Sequence, residues 1–203
     1  MEQISTKILQ FQHISAATKE ATEYIKKRKN HEVKSLKTRW NKFNAACMGG
    51  IEPNTVYTIV GISGSGKSSF VNTLENDLID LNSDQDVIVL NFSFEMLSSR
   101  QVGRKLSSKL RLTTAELYSA NNDLDNESLA KVEETSQQIK SYPIYYVDTP
   151  GTVEDIASTI DYFYENKAKG KKFIVILDHT LLVEGQSRES ALQVISDLQK
   201  LFI

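Results

Sequence analysis

Apolar positions Ile14, Ala17, Ala21, Tyr24 and Ile25 recur at three- and four-residue spacing, which predicts a helix over residues 15–31 with one apolar stripe. That stripe lies roughly twenty residues ahead of the first expected strand. Its partner is therefore either another copy of the chain or a local packing surface. Trp40, Phe43 and Ala46 follow at helical spacing, closed by Gly49-Gly50 as a helix C-cap. From residue 56 the pattern changes to short, nearly continuous β-branched runs at 56–60, 87–92, 144–147 and 173–177. Such runs are the signature of strands buried on both faces in a parallel sheet. Helical periodicity fills the intervals, over 67–81, 98–110, 126–141, 153–168 and 189–202, with a polar turn at 121–126. Repeated strand–helix units predict a doubly wound α/β domain, its mostly parallel central sheet flanked by helices.

Composition narrows this picture. A chain of 203 residues amounts to one domain with an appendage, and 40% hydrophobic residues with only nine Gly and three Pro describe an ordered, helix-rich protein. The apolar runs are far shorter than the roughly 18 residues of a membrane span, and the polar N-terminus has no signal-peptide core. No membrane association is expected. One cysteine, Cys47, excludes an internal disulfide, and His13, His31 and His179 have no zinc-ligand spacing, so a reducing cytoplasm fits. The net charge of −2 conceals a basic front, with 10 Lys and Arg against 4 Asp and Glu in residues 1–50, and an acidic body with 14 against 22. The cluster Lys26-Lys27-Arg28-Lys29 reads first as a solvated helix face and second as a nucleic-acid contact.

The chemistry begins at Gly61-Ile62-Ser63-Gly64-Ser65-Gly66-Lys67-Ser68, a G-x-x-x-x-G-K-[ST] phosphate loop placed after an expected strand and opening a helix that continues through Ser69. Its glycines let successive N–H groups turn toward phosphates, Lys67 supplies a point charge, and Ser68 offers a hydroxyl to Mg²⁺. Asp178 closes the run at 173–177 and so emerges at the C-terminal edge of the sheet, the place for an aspartate that holds the metal through water. Glu95 follows the run at 87–92, where a carboxylate near the γ-phosphate can orient and deprotonate an attacking water. Asp148-Thr149-Pro150-Gly151 spells the D-x-x-G switch of GTPases. The guanine-reading motif that should accompany it is incomplete, because Asn166-Lys167-Ala168-Lys169 ends in lysine.

The order of these motifs resembles the motor domain of hexameric DnaB-family replicative helicases, a RecA-like P-loop ATPase group, from about residue 36 to 202. Ser35-Leu36-Lys37-Thr38, Trp40, Phe43-Asn44 and Gly49-Gly50-Ile51 are similar to the family's lead-in. Phe92-Ser93-Phe94-Glu95-Met96, with Gln101, Arg104 and Leu106-Ser107-Ser108, resembles its F-S-L-E-M block. Asp148-Thr149-Pro150-Gly151 matches its D-T-P-G, and Ile176-Leu177-Asp178-His179 its Walker B strand in a phage-like variant. The resemblance implies ATP and Mg²⁺ as ligands, with Lys67, Ser68, Glu95 and Asp178 in the ATPase roles. It also implies a linker helix in residues 1–34 that docks on a neighbouring subunit, and a RecA-like domain over 35–203. Single-stranded DNA, a hexameric ring, 5′–3′ movement and a primase or loader come by the same route. In the family the sensor and arginine finger come later than Leu201-Phe202-Ile203, so the domain is expected to be C-terminally incomplete, and Arg100, Arg104, Arg111 and Arg188 receive no finger role. A non-motor nucleotide-binding subunit that assembles with a helicase is the alternative, and a GTPase switch the third reading.

Overall fold

The computed structural model describes residues 11–178. Its centre is a three-stranded parallel sheet of β1 (Val87–Ser93), β2 (Ile144–Val147) and β3 (Lys172–Asp178) in the order β2-β1-β3. Pairing runs from Val89 opposite Ile144 to Phe92 opposite Val147, and from Val87 opposite Lys172 to Ser93 opposite Asp178. β1 is buried along its whole length because it has a layer on each face. Val87 and Val89 pack with Leu36 and Leu78, backed by Ile51, Leu74, Ile144, Ile174 and Ile176. The intervening Ile88, Leu90 and Phe92 pack with Phe94, Ile156, Phe163 and Ala168, backed by Phe173, Val175 and Leu177. Period-two alternation thus divides one apolar run between two cores.

The first core is covered by α3 (Lys67–Asp80) and the second by α7 (Val153–Phe163). Thr152 and Asp155 form a capping box at the start of α7, and Phe163 stacks on Phe173 at 5.5 Å while meeting Tyr145 edge-on at 5.0 Å. Where the periodicity predicts one helix over 153–168, the last turn, Tyr164–Ala168, is π-helical. Asn166 Nδ2 donates to the Tyr162 carbonyl at 2.7 Å, taking the acceptor that an α-helical turn would use. The remaining helices are α1 (Ile14–Lys29), α2 (Asn41–Ala46), α4 (Ser98–Leu110), α5 (Thr114–Leu117) and α6 (Asn126–Lys140). Asp125, from the polar turn at 121–126, caps α6 through the Ser128 N–H at 2.7 Å.

The expected strand over 56–60 is corrected by the structure. Both edges of the central strand are occupied by β2 and β3, so a fourth strand can seat only on an outer edge, and among the described residues 56–60 pairs with none. Val60 is 86% exposed. The segment is held instead through Tyr57, whose hydroxyl accepts the Glu52 N–H at 3.0 Å and whose ring faces Phe43. The helix expected over 189–202 lies outside the described residues.

Residues 35–51 wrap α3 by side-chain hydrogen bonds. Arg39 grips the Asp77 carboxylate through Nε at 2.9 Å and Nη2 at 2.7 Å, and Trp40 stacks on Phe70 at 4.5 Å. Asn82 closes the wrap, accepting the Lys37 N–H at 2.8 Å and donating to the Lys37 carbonyl at 3.0 Å. Leu36 and Ile51 exchange backbone hydrogen bonds beside Gly50, which has φ +138° and would put a Cβ 2.0 Å from the Leu36 carbonyl oxygen. Gly50→Ala is therefore expected to destabilise the chain by more than about 1 kcal/mol, since backbone must shift as well as strain. Thermal denaturation checks this, and an unchanged midpoint would show that the bridge can move aside.

Candidate functional site

α3 runs antiparallel to β1. Glu75, nearer its start, receives the Asn91 amide at 2.6 Å close to the C-terminal end of the strand, while Leu78 packs against Val87 and Val89 nearer the strand's beginning. The start of α3 therefore points to the sheet edge where β1 and β3 end side by side at Ser93 and Asp178. The phosphate loop opens this helix. Gly66 is its N-cap in the left-handed region at φ +90°, and Gly64 has φ +77°. A Cβ at either would meet nothing within 4 Å, so the two turn the backbone beside open space, whereas one at Gly61 would lie 2.5 Å from Ser65 Oγ. Lys67 Nζ donates to the carbonyls of Gly61 at 2.8 Å and Ile62 at 3.0 Å, which holds the ammonium over the loop. Positive-φ glycines, a helix N-terminus and an ammonium make a donor set suited to phosphate oxygens. Ser63, Ser65 and Ser69 are exposed, and Ser68 is half-buried in the first turn of α3.

Asp178 closes β3 level with Ser93. Among the described residues no three His, Cys, Asp or Glu side chains form a metal cluster. A divalent cation here would be shared between the Ser68 hydroxyl, the Asp178 carboxylate and phosphate oxygens, as suits a hard ion that keeps much of its water. Glu95 is exposed two residues beyond β1, between the buried Phe94 and the half-buried Met96.

The loop that carries Glu95 is pinned on both sides. The Asp148 carboxylate accepts the Ser98 N–H with both oxygens at 3.1 Å, charging the first turn of α4 favourably. Asp148, the first residue of the D-T-P-G motif, is thereby a clamp on the helix that follows Glu95. Ser93 Oγ donates to the Met96 carbonyl, accepts from Gln101 Nε2 at 3.0 Å, and Gln101 Oε1 accepts from Asn72 Nδ2 at 3.1 Å. Beside this chain sits a fully buried ion pair, Lys105 on α4 with Glu75 on α3, joined by Asn91. Tyr146 lies near Glu75, and burial pushes its phenol pKa well above its ordinary range, with the Glu75 charge adding to the shift. Sequence reasoning missed these groups because Asn72, Glu75, Asn76 and Asp77 read as a solvated helix face. The available signal was that Gln101 and Ser93 stand within the helicase-like block.

Other sequence candidates fall elsewhere. Asn166 is bonded to its own helix, and Arg188 lies outside the described residues. Arg100 sits 4.9 Å over the Tyr118 ring, and with Arg104, Met96, Thr114 and Ala115 it borders a shallow groove of about 350 Å³. In the basic cluster of α1, Lys26, Lys27 and Lys29 are at the helix C-terminus, while Arg28 bonds Ser35 Oγ at 2.9 Å. Tyr24 bonds Glu52 at 2.7 Å, yet Ile14 and Ile25 of the apolar stripe remain 74% and 66% exposed. No described helix is long and apolar enough to cross a membrane.

A family model for the DnaB-like helicase C-terminal domain matches residues 35–202. The solved ATPase domain of one DnaB-like helicase superposes with a TM-score of 0.74 at 21% sequence identity, over 95% of this chain and 68% of that one. A DnaB-like replicative helicase, solved for its interactions with primase, gives a TM-score of 0.75 at 20% identity over 95% of this chain and 46% of its own. No curated protein matches the chain. The shared fold is that of RecA-like helicase ATPase domains.

Proposed function

The chain belongs to the DnaB-like helicase C-terminal domain family, a helicase motor domain, and from that premise we propose that it binds ATP with Mg²⁺ and hydrolyses it. The cycle would draw single-stranded DNA through a ring of subunits. What supports this reading most is the convergence on one sheet edge of the phosphate-loop helix, the end of β3 at Asp178 and the loop bearing Glu95.

Backbone N–H groups of residues 61–66 and the Lys67 ammonium hold the β and γ phosphates. Lys67 has only to exchange its two loop carbonyls for phosphate oxygens, a substitution of like geometry. Ser68 and Asp178 hold Mg²⁺, which when bound neutralises charge developing on the phosphates. Glu95 takes a proton from the water that attacks in line with the leaving group, a role that needs a carboxylate near the site yet reachable by water. Asp148 and Ser93 keep its loop at the sheet edge.

The exposed stripe of α1 supports docking of residues 1–34 on a neighbouring subunit, as a ring requires, with residues 35–203 forming the ATPase body. A hexamer, 5′–3′ translocation and a primase or loader contact belong to the same proposal. So does a cytoplasmic location. ATP turnover with Mg²⁺, with and without single-stranded DNA, tests the reading beside Lys67→Ala. DNA-stimulated phosphate release lost in Lys67→Ala is the expected result. Tight ATP binding without turnover would replace the motor with a nucleotide-binding subunit, and a preference for GTP would return the switch reading.

A further inference from the structure

We propose that Asn72, Gln101 and Ser93 are a positioning relay that sets the Glu95 loop in response to phosphate binding at the start of α3. The inference rests on the assignment of Glu95 as the base. It is carried by a chain of hydrogen bonds, each of which orients the next.

All three side chains are buried, Asn72 and Gln101 at 3% exposure and Ser93 at 1%. Asn72 Nδ2 donates to Gln101 Oε1 and to the Gln101 carbonyl, both at 3.1 Å. The Gln101 amide is thereby turned so that Nε2 donates to Ser93 Oγ at 3.0 Å. Having accepted there, the Ser93 hydroxyl directs its single proton to the Met96 carbonyl. Reversing the Gln101 amide would set two NH₂ groups face to face and draw the Ser93 proton away from Met96. The chain therefore has one direction, from α3 to the peptide next to Glu95.

The two ends matter as much as the links. Asn72 stands five residues after Lys67 on the helix whose first turn is the phosphate loop. Any shift of α3 as phosphate seats at its N-terminus is carried to Asn72 by the rigid helix. At the far end, the Ser93–Met96 bond closes a four-residue turn with Glu95 in its third place, while Phe94 is anchored against Phe92 at 5.9 Å. Loosening Met96 leaves the Glu95 backbone held on one side only. A misplacement of about 1 Å at a reacting group can cost about 10²-fold in rate, so a relay with no contact to substrate can govern turnover.

The test uses the full 203-residue chain with Gln101→Met, which keeps length without donors, Ser93→Ala, and Ser93→Thr, which restores the hydroxyl. Gln101→Met and Ser93→Ala are expected to lower kcat about 10-fold or more, with KM and fluorescent-nucleotide affinity within about twofold, and Ser93→Thr to recover most of the loss. Added to Glu95→Gln, Gln101→Met should produce no further loss. Independently of turnover, hydrogen exchange of peptides spanning 93–97 should slow on binding ADP and Mg²⁺ in the parent and not in Gln101→Met. Unchanged kcat, a loss seen only in KM, or a full extra loss on the Glu95→Gln background would overturn the relay. Full turnover by Glu95→Gln would remove the assignment of Glu95 instead, and the exchange result would then uphold or overturn the coupling alone.

Discussion

Glu95→Gln is expected to lower ATP hydrolysis by about 10²–10⁴-fold while leaving nucleotide affinity nearly unchanged. The amide matches the carboxylate in size and can still hold a water by hydrogen bonding, but it cannot accept the proton that the attacking water must lose. Glu95 is exposed on a pinned loop, and no described hydrogen bond ties its carboxylate to another side chain, so the substitution is not expected to disturb the fold. Phosphate release under steady state, paired with equilibrium binding of a fluorescent ATP analogue, separates chemistry from binding. Residual turnover within about tenfold of the parent would mean that another group activates the water.

Lys105→Met carries the largest expected effect on stability. Lys105 and Glu75 are 1% and 0% exposed, and they join α4 to the phosphate-loop helix through a single ion pair. Removing the ammonium strands a carboxylate whose other direct partner is the Asn91 amide at 2.6 Å. A buried charge left in that state typically costs about 3–5 kcal/mol. The melting temperature should then fall by about 10 °C. Replacing both residues, Glu75→Leu with Lys105→Met, should recover most of this, because two apolar groups of similar volume leave no charge unsatisfied. A single substitution as mild as the double one would show that water reaches Glu75.

Burial holds the Lys105 pKa below its ordinary range, with the attraction of Glu75 opposing the shift. The unfolded chain therefore binds more protons than the folded chain between that lowered value and about 10.4. Stability attributable to this lysine should rise with pH across the window, and the rise should be absent in Lys105→Met. Denaturant titrations at mildly alkaline pH would measure it.

Much of the site was legible in the residues alone. The phosphate loop is a local device: glycines with positive φ, a lysine and a serine at fixed spacing at a helix start, and the structure finds Gly64, Gly66 and Lys67 in that arrangement. Asp178 and Glu95 were readable because an apolar run that ends in a carboxylate delivers it to a sheet edge. The runs at 87–92, 144–147 and 173–177 became strands, since β-branched residues with a layer on each face have little other choice.

What periodicity could not determine was which neighbour each element would meet. The run at 56–60 has the composition of a strand, yet β1 had both edges filled by β2 and β3, and edge occupancy depends on the whole sheet. The polar face of α3 looks solvent-facing by pattern and is buried, because Arg39, Lys105, Asn91 and Gln101 arrive from 16 to 38 residues away to satisfy it. The residue types and local spacing alone determined a phosphate-binding α/β domain and its reactive groups. The tertiary structure decided how those groups are held, because a buried polar side chain is stable only once distant partners have been brought to it.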